Sequence, residues 1–296
     1  MREPVISVTN LTRKFGAKPA LNDVSLEVPR GSVFGLVGEN GAGKTTFIKH
    51  ILGLLRAEAG KVRVFGMDPA ADPVSVLSRI GYLSEQPDLP DWMRVHEFVR
   101  YMQPFYPKWD EAYAEQLRQQ FGLDQAARLR TLSKGQRAKL GLLAAQAHRP
   151  DLLLLDEPSS GLDPIVRNDI LAAVIRTVSE EGRTVFFSSH LLEEIERVSD
   201  HIAMLHQGKL VLCGPLDAVK ARHRRITLRF ETQQPKPPEV PGALTVAGAG
   251  REWTLVCDPA RVTHLAASIV DDDTASLNEI FVAHAGVSVP AARQAQ

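Results

Sequence analysis

The chain has 296 residues, 44% of them apolar and 24% charged, and its 35 Lys+Arg balance 35 Asp+Glu. Those figures fit an ordinary globular protein with room for one large domain or two unequal ones, and they exclude a global field that recruits nucleic acid or acidic membrane. Cys213 and Cys257 have neither metal-ligand spacing nor a disulfide framework to join. No apolar run approaches the roughly 18 residues of a membrane span, and the stretch from Met1 to Pro4 lacks a signal-peptide core, so a cytoplasmic setting is expected.

Val5, Ile6 and Val8, then the alternation from Ala20 to Val28, predict antiparallel strands before a turn at Pro29 to Gly31. Val33–Val37 is a short apolar run of buried-strand type. It leads into Gly38-Glu39-Asn40-Gly41-Ala42-Gly43-Lys44-Thr45-Thr46, after which Phe47, Ile48, Ile51, Leu52 and Leu55 recur at helical spacing. Strand, glycine-rich turn and helix are the context of a phosphate-binding loop. Gly38, Gly41 and Gly43 let backbone N–H groups curl around a β-phosphate, and Asn40 and Thr46 belong to the same nucleotide-binding stretch. The helix N-terminus adds partial positive charge, Lys44 neutralises β/γ oxygens, and the Thr45 hydroxyl can ligate Mg²⁺. The loop implies binding of a nucleoside triphosphate.

Lys61–Phe65 and Ile80–Leu83 are the next predicted strands. From about Asp91 to Pro150 the spacing turns helical, over Val95–Met102, Trp109–Phe121 and Lys134–Ala147, which reads as an inserted subdomain. Strand and helix then alternate through Leu152–Leu155, Pro164–Ser179, Thr184–Phe187, Leu191–Val198 and Ile202–Leu205, the signature of a parallel sheet covered on both faces. Four leucines ending in Asp156-Glu157-Pro158 deliver two carboxylates to the C-terminal end of a buried strand, where open α/β sheets bind ligands. Asp156 is expected to hold Mg²⁺ through a water, and Glu157 to act on the attacking water.

After Leu210–Cys213 the composition changes. Strand-like Ile226–Phe230 and Trp253–Cys257 flank a proline-rich loop from Pro235 to Gly242, helix-like Ala260–Val270 and Ala275–Ala283 follow, and residues 287–296 read as disordered. The run Arg222 to Arg225 reads as a solvated face. The expected architecture is an α/β nucleotide-binding unit over residues 1–221, with an antiparallel β subdomain and a helical insert near 91–150. A small α+β module is expected over 222–296.

Taken together, these motifs resemble the ATP-binding cassette (ABC) ATPases, over residues 5 to about 220 and in family order. Leu132-Ser133-Lys134-Gly135-Gln136 is similar to the family signature, usually Leu-Ser-Gly-Gly-Gln. Ser160-Gly161-Leu162-Asp163 resembles the D-loop, His190 the switch histidine, Gln86 the Q-loop glutamine, and Phe15 an aromatic that stacks on adenine. The resemblance implies a P-loop fold that hydrolyses ATP with Mg²⁺, with Lys44, Gln86, Glu157 and His190 catalytic and Thr45, Gln86 and Asp156 around the metal. It also implies that Ser133, Gly135, Gln136 and Asp163 complete the site of a second cassette, two chains closing head-to-tail over two ATP molecules. The partner it implies is an integral membrane permease, at the cytoplasmic face of the membrane, and no nucleic acid. The C-terminal extension, ending in Ser276 to Val282, resembles tails of bacterial exporter-type cassettes. The alternative reading is a soluble ABC ATPase acting on ribosomes or DNA, countered by the single cassette, the absence of long coiled coils and the lack of basic surplus. A binding module without turnover is a third reading, countered by Glu157. Lys134 departs from the signature. It costs little if its φ is negative, whereas a close backbone approach to ATP there would weaken closure.

Overall fold

The computed structural model describes residues 3–179, 182–258 and 267–286, and it divides into two compact units, Met1–Leu210 and Val211–Gln296. The division falls ahead of the boundary expected at 221/222.

In the first unit, β1 (Ile6–Phe15), β2 (Lys18–Val28) and β4 (Ala59–Val64) form an antiparallel sheet in the order β2-β1-β4. Alternate residues of β2, Val24, Leu26 and Val28, are buried, which is the period-2 pattern of a sheet with one wet face. A second sheet runs in the order β5 (Ile80–Leu83), β6 (Leu152–Asp156), β7 (Thr184–Ser189), β3 (Val33–Val37), β8 (His201–His206) and β9 (Lys209–Pro215), with β9 crossing the unit boundary. Its β5-β6-β7-β3-β8 portion is parallel. Every residue of β3, β6 and β7 is buried, as continuous apolar strands covered on both faces should be.

The helix α1 (Lys44–Ile51) leaves the end of β3 and is fixed by aromatic packing. Phe47 stacks on Phe186 of β7 at 5.9 Å, and Phe186 on Phe34 of β3 at 5.5 Å, all three within one core. Truncating such a ring costs roughly 3–5 kcal/mol. The phosphate loop is therefore set on a rigid base.

After a short helix α2 (Pro73–Leu77), which the sequence reading did not predict, the insert holds α3 (Val95–Met102), α4 (Glu111–Gln120) and α5 (Lys134–Gln146). Asp110 caps α4, accepting the Tyr113 N–H at 2.9 Å. The α6 (Pro164–Ser179) and α7 (Leu192–Val198) helices complete the alternation with β7 and β8. No described helix is long and apolar enough to cross a membrane.

The second unit contains α8 (Leu216–Ala221) and an antiparallel sheet of β10 (Arg224–Gln234), β11 (Ala243–Cys257) and β12 (Ala267–Thr274) in the order β11-β10-β12. It is closed by α9 (Leu277–Ala285), which begins on a Ser276/Glu279 capping box. Ile226, Leu228, Val240, Leu255 and Cys257 form its core. The helix expected over Ala260–Val270 is corrected over its last four residues. These, Ala267 to Val270, are strand, because Ala267, Ser268 and Ile269 pair with Phe230, Arg229 and Leu228 of β10, and the ladder overrides an apolar spacing that also suits a helix. The rest of that segment, and the 287–296 tail, lie outside the described residues. The basic run is not simply solvated: Arg224 pairs with Asp272 at 2.9 Å and Arg225 with Asp271 at 3.2 Å, so the aspartates of β12 offset it.

Candidate functional site

At the C-terminal ends of β3, β6 and β7, three loops converge. Lys44, the first residue of α1, turns its ammonium back on the loop before it, donating to Gly38 O at 2.6 Å and Glu39 O at 3.2 Å. Gly43 makes this turn possible: its φ is +110°, and a Cβ would lie 2.4 Å from Ala20 O. The left-handed conformation and the close approach both require glycine.

The strand β6 ends in Asp156 and the next residue is Glu157, both buried. Glu157 has φ +50°, uncommon for a non-glycine residue, and the neighbouring contacts hold it there. Its N–H donates to Ser188 Oγ at 3.0 Å, and the Ser188 hydroxyl donates to Asp156 Oδ1 at 2.7 Å. One serine thus holds the Asp156 carboxylate and the Glu157 backbone. Glu157 Oε1 lies 2.9 Å from Lys44 Nζ, and Glu157 Oε2 lies 2.6 Å from His190 Nδ1 and 3.3 Å from the His190 N–H. Burial raises the Asp156 carboxyl above the ordinary carboxylate range, opposed by hydrogen bonds from Ser188 and Thr45. An ionised Asp156 therefore gains from a nearby cation.

A cavity of about 450 Å³ opens beside these groups, lined by Phe15, Asn40, Gly41, Lys44, Thr45, Glu157 and others of the loop. Phe15, at the end of β1, is half exposed at its rim, with the Arg13 guanidinium 5.0 Å above the ring.

The remaining expected residues gather elsewhere. Gln86 lines an adjoining cavity of about 380 Å³ with Lys134, Arg137, Ser160 and Leu162, not the cavity of Thr45. Ser133 and Gln136 bind each other as the capping box of α5: Ser133 N–H donates to Gln136 Oε1 at 2.9 Å, and Gln136 N–H to Ser133 Oγ at 3.2 Å. Gly135 is buried in the first turn of α5, and a Cβ there would lie 2.9 Å from Val166 Cγ2. Lys134 is the first residue of α5 and is not among the residues of positive φ, so its side chain strains nothing. Its ammonium packs over Gly161. Asp163 Oδ1 accepts the N–H groups of Ile165 and Val166, each at 3.0 Å, at the start of α6. Ser188 and the buried Ser159, Ser189 and Glu194 also belong to the surroundings of the site, and no sequence motif singles them out. The only signal was the pair Ser188-Ser189 directly before His190.

The ABC transporter family model matches residues 21–160. The ABC transporter ATP-binding protein YtrB of Bacillus subtilis is 32% identical over 228 residues, 77% of this chain and 78% of that protein. The bacitracin transport ATP-binding protein BcrA of Enterococcus faecalis is 35% identical, covering 76% and 74%. This chain belongs to the ATP-binding proteins of ABC transporters. A solved ATP-binding subunit of an ABC transporter, 31% identical, superposes with a TM-score of 0.67 over 73% of this chain and 92% of that one. As a member of the family the cassette binds ATP and hydrolyses it to energise a separate membrane-spanning subunit.

Proposed function

We propose that Glu157 is the base that orients the attacking water, and the supporting observation is its carboxylate held between Lys44 and His190 at the end of β6. In this reading Lys44 and the loop N–H groups take the β- and γ-phosphates, and Phe15 takes the adenine. His190 senses the γ-phosphate through the ring nitrogen that Glu157 does not use. Magnesium is the metal that the family implies. Thr45 Oγ and the Asp156 carboxylate are the hard oxygen donors such an ion takes, so these two residues would hold it. The ion would add neutralising charge at the β/γ oxygens. Gln86 reaches this site in our reading only when the loop after β5 moves toward Thr45.

A second cassette completes the site. Ser133, Gly135 and Gln136 at the N-terminus of α5, with Asp163, face a partner's γ-phosphate, to which the Ser133 hydroxyl hydrogen and the helix dipole are available. In this reading the membrane subunit docks on the face near Gln86, Pro87 and the exposed Trp92, and the cassette works at the cytoplasmic side of the membrane. We read the direction as export, supported by the module after the cassette and by similarity to a bacitracin transport protein. Cysteines introduced at positions 86, 87 and 92 test the docking face in membranes carrying the full complex. Cross-linking to an integral membrane protein supports the reading, and cross-linking to ribosomal protein overturns it.

A further inference from the structure

Glu194, in the first turn of α7, is a buried carboxylate with three partners. It accepts the Ser159 hydroxyl at 2.6 Å and the Ser189 hydroxyl at 3.0 Å through Oε2, and its Oε1 lies 3.0 Å from Arg167 Nε. Ser159 and Ser189 are themselves buried, and Ser189 Oγ also accepts the Leu191 N–H at 3.0 Å. Arg167 reaches further, donating from Nη2 to Leu162 O at 3.3 Å.

The chain positions of these partners matter more than their number. Ser159 follows Glu157 by two residues, and Ser189 immediately precedes His190. Leu162 lies in the loop that leads to Asp163. One carboxylate thus ties the segment carrying Glu157 to the segment carrying His190. Through Arg167 it also holds the far end of the Ser160–Asp163 loop. We propose that Glu194 is a positioning residue for hydrolysis: it sets the separation of Glu157 from His190 and couples that separation to the loop carrying Asp163.

Energetics favour a geometric role. A buried ionic cluster adds little stability over well-packed apolar side chains, because desolvation offsets the attraction. It does fix hydroxyls and guanidinium in one arrangement. Glu157 and His190 are 2.6 Å apart, and a displacement near 1 Å in such a pair costs about 100-fold in rate. None of these partners lines the nucleotide cavity, so ATP affinity should not follow the rate.

The inference rests on the proposed role of Glu157, and the test keeps the two apart by leaving Glu157 intact. Steady-state ATPase, nucleotide affinity and thermal midpoint are measured on the full chain for Ser159→Ala, Glu194→Gln, Glu194→Ala and the Ser159→Ala/Glu194→Ala pair. Expected are a kcat about 10-fold or more lower in Ser159→Ala and Glu194→Ala, with ATP Kd within about 2-fold. The double variant should be no slower than Glu194→Ala, since both changes cut the same link. Glu194→Gln, whose amide oxygen still accepts a hydroxyl, should lie between. If Glu194→Ala does not fold, Ser159→Ala and Ser189→Ala, each losing one hydroxyl, carry the same comparison. Wild-type kcat in folded Ser159→Ala and Glu194→Gln would overturn the proposal. So would a loss of kcat matched by an equal loss of affinity, or effects that simply add.

Discussion

The Lys44 ammonium lies 2.9 Å from Glu157 Oε1, and both side chains are buried. The cation assigned to the phosphates and the carboxylate assigned to the water are therefore partners in one cluster. Each fixes the other's place, and substitution of either has two effects, on chemistry and on the balance of buried charge.

Lys44→Ala should weaken ATP binding by at least about 100-fold, since a charge-assisted contact to the phosphates is lost. It should also lower stability by about 3 kcal/mol, because the Glu157 carboxylate stays buried without its cation. Adding Glu157→Gln to Lys44→Ala removes that unpaired charge, so stability should recover while affinity does not. Calorimetric titration with ATP and urea denaturation read the two effects separately.

Gly135 sits where a Cβ would meet both γ-carbons of Val166 at 2.9 and 3.0 Å. Gly135→Ala must push α5 and α6 apart, at a cost of roughly 1–3 kcal/mol. The nucleotide cavity does not include Gly135, so the ATP affinity of a single cassette should stay unchanged while the thermal midpoint falls. Gly135→Ala/Val166→Ala should recover part of the loss.

His148 is buried between Ile80 and the ring of Tyr106, which stacks on it at 3.9 Å. Burial lowers its pKa to about 4 from the ordinary 6.5, helped by the Arg183 charge. The fold therefore holds it neutral while the unfolded chain takes up a proton. Its contribution to stability is fully present above pH 6.5 and is lost as the pH falls toward 4, by about 3 kcal/mol in all. Urea midpoints at pH 7, 6 and 5 should show this slope in wild type and a shallower one in His148→Gln.

Much of this molecule was legible in its sequence, and the reasons are local. The phosphate loop, the four leucines before Asp156 and the helices Val95–Met102 and Pro164–Ser179 each combine a period with a boundary residue. The structure returns those two helices with the same bounds. The strand Ala267–Thr274 was not legible, because its apolar spacing suits a helix and only pairing with β10 decides otherwise. The serine network was hidden for a different reason. Ser159, Ser188, Ser189 and Glu194 look like ordinary polar residues in the sequence, and only the return of β7 beside β6 brings them together next to Asp156 and Glu157. The motif points Gly135 at the phosphate, and the structure adds a packing demand from Val166.

The central claim is that Glu157 activates water in a site that a second cassette closes. Glu157→Gln keeps a polar side chain of the same size but takes up no proton. Light scattering of this variant with ATP and Mg²⁺, alongside its rate of phosphate release, tests the claim most directly. The account predicts a doubled mass that retains ATP, with phosphate release reduced about 100-fold or more. A variant that stays monomeric with ATP bound, or that releases phosphate at the wild-type rate, would contradict it.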